Sequence, residues 1–107
     1  MKEADAWRQW SLKEKVGQLF MCGFEGKEPD EGILELIREY GIGGVIYFRR
    51  NLRDADQVAG LSERLQREAD VPLFLSIDQE GGMVVRLEDG VTVMPGDIIF
   101  GDRDGVV

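Results

Sequence analysis

The stretch Val71-Pro72-Leu73-Phe74-Leu75-Ser76-Ile77-Asp78-Gln79-Glu80-Gly81-Gly82, with Arg86 close behind, decides how this chain reads. Its first half is an apolar run of strand length. Its second half sets two carboxylates, a glycine pair and an arginine directly at the end of that run. In α/β proteins, a polar-ligand site at the carboxyl end of a buried strand has this form. The chain contains no histidine, so the commonest general acid–base side chain is absent from it.

Working back from that strand, the order is helix, strand, helix, strand, helix, strand. Ser11-Leu12-Lys13-Glu14 is a capping-box pattern, in which the serine takes an orphan amide and the glutamate reaches back. The short helix it opens runs into Leu19-Phe20-Met21-Cys22, an apolar run of the buried-strand type. Gly23 to Pro29 reads as a loop, and Pro29 suits the first turn of a helix. Ile33, Leu34, Ile37 and Tyr40 recur at helical spacing, and Gly41 is a natural stop. Val45-Ile46-Tyr47-Phe48, introduced by Gly43-Gly44, is the second strand. Asp54, with Gln57 three residues on, starts a helix whose apolar stripe is Val58, Leu61 and Leu65, with Arg64 and Arg67 facing water. Pro72 ends that helix. Alternation with short connections implies βαβ units and a parallel sheet.

Beyond Arg86 the texture changes. Val91-Thr92-Val93, Ile98-Ile99-Phe100 and Val106-Val107 are β-type stretches, separated by the turn signals Met94-Pro95-Gly96-Asp97 and Gly101-Asp102-Arg103-Asp104-Gly105. The expected fold class is therefore α/β: a partial (β/α) barrel of about three parallel strand-helix units followed by a short β-rich tail. Residues 1–107 form one domain, too small for a complete barrel of about 250 residues.

Composition narrows the partners. A net charge of −8 disfavours nucleic acid and anionic membranes. No apolar run reaches the roughly 18 residues that span a bilayer, and Met1-Lys2-Glu3-Ala4-Asp5 does not begin as a signal peptide does. The single cysteine forms no internal disulfide, and with the missing leader it points to a cytoplasmic location. Cys22, inside an apolar run, reads as a buried structural thiol. Asp97, Asp102 and Asp104 lack the spacing and glutamate of a calcium loop and read as turn-forming acids. No metal and no cofactor is expected.

From about residue 11 to 96, the chain resembles the start of the catalytic barrel of glycoside hydrolase family 3, and within it the bacterial β-N-acetylglucosaminidases. The likeness is carried by Lys15-Val16-Gly17-Gln18-Leu19-Phe20, Gly43-Gly44-Val45-Ile46, Phe48-Arg49-Arg50-Asn51, Asp78-Gln79-Glu80-Gly81-Gly82, Val85-Arg86-Leu87 and Pro95-Gly96. The resemblance implies that Asp78 grips sugar hydroxyls with Arg86 beside it, and that Gly81-Gly82 lets the backbone approach an amino sugar. Asp78 paired with Arg86 as a plain strand-end cap is the competing reading. Met83 stands where the family commonly has an arginine. The family's aspartate nucleophile comes from later in the barrel and its acid/base is a histidine on a mobile loop, so no catalytic residue is assigned here and no turnover is expected. Asp78 and Glu80, two apart on one loop, are poorly placed to flank a glycosidic bond from opposite faces.

From about residue 90 to 107, the tail resembles the 4-hydroxy-4-methyl-2-oxoglutarate aldolases and the related regulators of ribonuclease E activity, through Gly90-Val91-Thr92-Val93, Pro95-Gly96-Asp97-Ile98-Ile99 and Gly101 to Val107. Together the two resemblances imply an artificial or recombined chimera, a folded module without turnover. Its open sheet edges predict a homo-oligomer. The alternative is a vestigial N-acetylglucosamine-binding fragment that uses Asp78, Arg86 and Arg50.

Overall fold

A computed structural model of the chain describes residues 5–78, Arg86, and the backbone of residues 101, 102, 105 and 106. The stretches expected at 91–93 and 98–100, together with Glu80, Gly81-Gly82 and Met83, lie outside the described residues.

A short 3-10 turn, Ala6–Gln9, leads into helix α1, Leu12–Gly17. The capping box forms as the sequence predicts: the Ser11 amide donates to the Glu14 carboxylate at 2.7 Å, and the Glu14 amide donates to Ser11 Oγ at 3.2 Å. Strand β1, Met21–Cys22, follows. Helix α2, Glu31–Arg38, begins two positions after Pro29, because Asp30 is the cap and accepts from the Ile33 amide at 2.8 Å. Gly41 ends this segment with φ +59°, a left-handed backbone that strains other residues. Strand β2 is Gly44–Tyr47, and a second 3-10 turn, Arg49–Asn51, precedes helix α3, Ala55–Glu68. Asp54 caps α3 by accepting from the Gln57 amide at 2.8 Å. Strand β3 is Phe74–Ile77.

The three strands form a parallel sheet in the order β1-β2-β3, with Met21 opposite Gly44 and Gly44 opposite Phe74. The expected α/β partial barrel of three parallel strands with helices is what the fold shows. Short strands β4, Gly101–Asp102, and β5, Gly105–Val106, pair antiparallel as a separate ribbon. The segment read as a turn between strands is thus a hairpin in itself.

Register sorts the strand residues onto two faces, since side chains alternate along each strand. Val45 and Tyr47, with Leu75, Ile77 and Cys22, pack on the helical side against Phe24, Ile33, Leu34, Ile37, Leu61 and Leu65. Full burial of a side chain such as Leu65 or Ile33 contributes about 1.5–3 kcal/mol. The other face carries Met21, Gly44, Ile46, Phe74 and Ser76, and no helix covers it among the described residues. Phe74 is 75% exposed and Met21 47% exposed.

This one-sided covering corrects the reading of the apolar runs. Leu19 and Phe20 are exposed rather than buried, Cys22 is half-buried, and β3 is only partly covered. Continuous apolar runs mark strands covered on both faces; among the described residues only one face has its layer. Tyr40 lies beyond the end of α2 and is half-exposed. The helix before Pro72 stops at Glu68.

Polar side chains lock the layers together at two places. Gln66, buried in α3, copies a strand: its Nε2 donates to the Leu73 carbonyl at 2.9 Å and its Oε1 accepts from the Leu73 amide at 2.8 Å. Arg38 and Glu68 join α2 to α3 at the surface, which raises the arginine pKa and lowers that of the carboxylate.

Candidate ligand site at the carboxyl edge of the sheet

Parallel strands end on the same edge, so the segments following β1, β2 and β3 gather there. The first two are stitched into a single wall by Asn51. This side chain is wholly buried. Its Nδ2 donates to the carbonyls of Phe24 at 3.0 Å and Gly26 at 2.7 Å, while its Oδ1 accepts from the Phe48 amide at 2.8 Å. Gln57 adds two bonds from its Nε2, to the Lys27 carbonyl at 2.9 Å and the Asn51 carbonyl at 3.0 Å. Loops held this way present a fixed surface, as ligand sites require.

Arg50 belongs to the same wall. Its Nε donates to the Phe24 carbonyl at 3.0 Å, its guanidinium lies 4.9 Å from the centre of the Phe48 ring, and Glu25 stands 3.7 Å away. The Arg50 Nε is therefore engaged with the main chain, and the structure gives Arg50 a part in shaping the loop.

Asp78 follows β3 directly, as expected, and its Oδ2 stands 3.6 Å from a terminal nitrogen of Arg86. The two side chains remain 42% and 27% exposed, so the pair is open to solvent. A carboxylate presents about four lone-pair sites and the guanidinium five donors. Charge-assisted bonds from such groups to hydroxyls are stronger than neutral ones.

Behind the wall, Tyr47 is buried in the helical layer, its ring edge-on to Phe24 at 6.4 Å and its hydroxyl 2.8 Å from Ser62 Oγ. Burial pushes the phenol pKa up to about 12, with the Ser62 bond opposing part of the rise. Among the described residues, no group of three or more His, Cys, Asp or Glu could hold a metal ion. Nor is any helix among them long and apolar enough to cross a membrane.

Sequence reasoning singled out Asp78 and Arg86 and quoted Asn51 only as part of a motif. The bonding roles of Asn51 and Gln66 had one visible signal each. Asn51 sits between an apolar strand and a capped helix, and Gln66 adjoins Leu65 on a buried stripe.

Residues 11–106 match the family described as the glycosyl hydrolase family 3 N terminal domain. A β-hexosaminidase from Haemophilus influenzae (strain PittEE) is 37% identical over 75 residues, which is 70% of this chain and 21% of the relative. Among solved structures, a glycoside hydrolase family 3 β-N-acetylglucosaminidase from Paenibacillus sp. str. FPU-7 is 58% identical, covering 81% of this chain and 17% of that one, with a TM-score of 0.75. A β-N-acetylhexosaminidase from Beutenbergia cavernae is 32% identical over 80% of this chain and 28% of its own, with a TM-score of 0.69. The chain thus spans about a fifth of the length of the curated relatives it matches.

Proposed function

The chain belongs to the glycosyl hydrolase family 3 N-terminal domain family, and from that premise we propose that it is the amino-sugar-gripping portion of a β-N-acetylglucosaminidase-type fold, without turnover of its own. The observation that carries this reading is the solvent-open Asp78–Arg86 pair at the carboxyl edge of the parallel sheet, beside a wall fixed by Asn51. The similar Paenibacillus protein is a β-N-acetylglucosaminidase, which supports an N-acetylated sugar as ligand. Asp78 accepts two hydroxyl bonds and Arg86 orients the carboxylate. With no histidine among the 107 residues, a histidine acid/base has no candidate, and a retaining mechanism needs two groups flanking the bond. An aryl N-acetylglucosaminide assay tests the second half of the proposal. Release of the aryl group above background, lost in Asp78→Ala, would overturn it.

A second reading, a self-associating module, is favoured by Phe74 and Met21 standing exposed on the open sheet face. The finer reading of the tail as a recombined piece draws no support from the family match, which continues through residue 106.

A further inference from the structure

We propose that the Phe48 ring is the stacking platform of the amino-sugar site: the carbon face of the sugar lies against the ring on the side opposite Arg50, while Asp78 holds the hydroxyls. The proposal rests on the amino-sugar reading of Asp78 and adds a specificity-determining residue to that site. Phe48 follows β2 with an extended backbone, φ −109° and ψ 171°, so its side chain continues the face that carries Gly44 and Ile46. Asp78 stands two places beyond Ser76 and continues the same face on β3. Ile46 lies opposite Ser76 and Tyr47 opposite Ile77. Phe48 and Asp78 are therefore neighbours at the carboxyl edge, one strand spacing of about 4.8 Å apart. A Cβ on Gly23 would stand 3.5 Å from Phe48 Cε2, 3.8 Å from Ile46 Cγ2 and 3.7 Å from Arg50 Nη2, so these three side chains gather on that one face.

The ligand's chemistry calls for both groups. A pyranose is polar along its hydroxyl edge and apolar across its C–H face. A carboxylate takes only the edge. An aromatic ring takes the face, because its π surface is negative and meets hydrogens of slight positive charge. Vicinal hydroxyls held at Asp78 bring the carbon frame of the sugar over the neighbouring strand, where Phe48 stands. Arg50 fixes the platform from behind: its guanidinium lies 4.9 Å from the centre of the ring, and its Nε is tied to the Phe24 carbonyl at 3.0 Å. Phe48 is half-buried, and its amide donates to Asn51 Oδ1 at 2.8 Å. The ring is thus set in place before a ligand arrives, as a selective site requires.

Proton magnetic resonance of N-acetylglucosamine titrated with the full chain and with Phe48→Leu, Phe48→Trp and Asp78→Ala tests this, with circular dichroism checking each fold. The proposal expects the ring protons of the sugar to move upfield on binding the parent, under the ring current of Phe48. Phe48→Leu binds about fivefold more weakly and loses the upfield movement. Phe48→Trp keeps an aromatic face, so it retains the affinity and enlarges the movement; it decides the matter if Phe48→Leu does not fold. Binding that vanishes in Asp78→Ala but is unchanged in Phe48→Leu overturns the platform and leaves the Asp78 reading standing. Weaker binding in Phe48→Leu with no upfield movement in the parent also overturns it, because Phe48 then only supports the loop. No binding to the parent at tens of millimolar, on the order of tenfold above a millimolar Kd, overturns both the platform and the reading it rests on.

Discussion

The Asn51 amide nitrogen stands 3.0 Å from the Phe24 carbonyl, joining the segment after β1 to the segment after β2 across 27 positions of sequence. Three hydrogen bonds converge on this one buried side chain, and all three partners are main-chain groups. Replacing it leaves those groups unpaired and opens a void. Asn51→Ala is therefore expected to lower stability by about 3 kcal/mol in urea unfolding. Asn51→Asp keeps the acceptor for Phe48 but loses both donors, and is expected to be nearly as damaging.

Two glycines give opposite outcomes. A Cβ at Gly43 would lie 2.1 Å from the Gln18 carbonyl oxygen, a backbone atom that cannot swing away. Gly43→Ala is expected to destabilise by about 2–4 kcal/mol. A Cβ at Gly60, inside α3, meets nothing within 4 Å, and Gly60→Ala is expected to stabilise by up to about 1 kcal/mol. Thermal melts of the two variants should move in opposite directions.

At high pH the buried phenol of Tyr47 becomes a weakness. Its folded pKa is raised to about 12 from 10.0, so the folded state resists ionisation that the unfolded state accepts. The stability this represents is intact below pH 10 and is lost as pH rises from 10 to about 12, by roughly 2–3 kcal/mol. Tyr47→Phe should flatten that part of the pH–stability curve, while losing the Ser62 bond at neutral pH.

Acid acts on the other side of the curve. The Gln57 amide and then Arg53 lower the Asp54 pKa, and Arg38 lowers that of Glu68. A depressed folded pKa means stability present above the unfolded value of about 4 and lost as pH falls through the folded one. Denaturation midpoints should drop in that window. A Glu68→Gln, Arg38→Gln double variant should drop less steeply.

The alternation of elements was legible because each boundary carried a local chemical signal. Ser11 with Glu14, Asp54 with Gln57, and Gly41 are contacts made within a few residues, and they formed where the sequence placed them. The Asp78–Arg86 pair was legible for a similar reason: Asp78 directly follows an apolar run, and Arg86 is near it in sequence. The exposure of Leu19, Phe20 and Phe74 was not legible. Hydrophobicity reports that a face wants covering, and whether a covering layer exists is decided by distant parts of the fold. Asn51 and Gln66 were hidden for the same cause, since their partners lie in main chain whose position only the folded structure sets.

Amino-sugar binding at Asp78 and Arg86 is the central prediction. The direct measurement is a nuclear magnetic resonance titration of the full chain with N-acetylglucosamine, with Asp78→Ala as the matched control. Saturable shifts at the Asp78 and Arg86 amides in the millimolar range, about 4 kcal/mol of binding, that vanish in Asp78→Ala are the predicted result. Unmoved signals at tens of millimolar sugar, on the order of tenfold above that range, or equal shifts in both proteins, would contradict it.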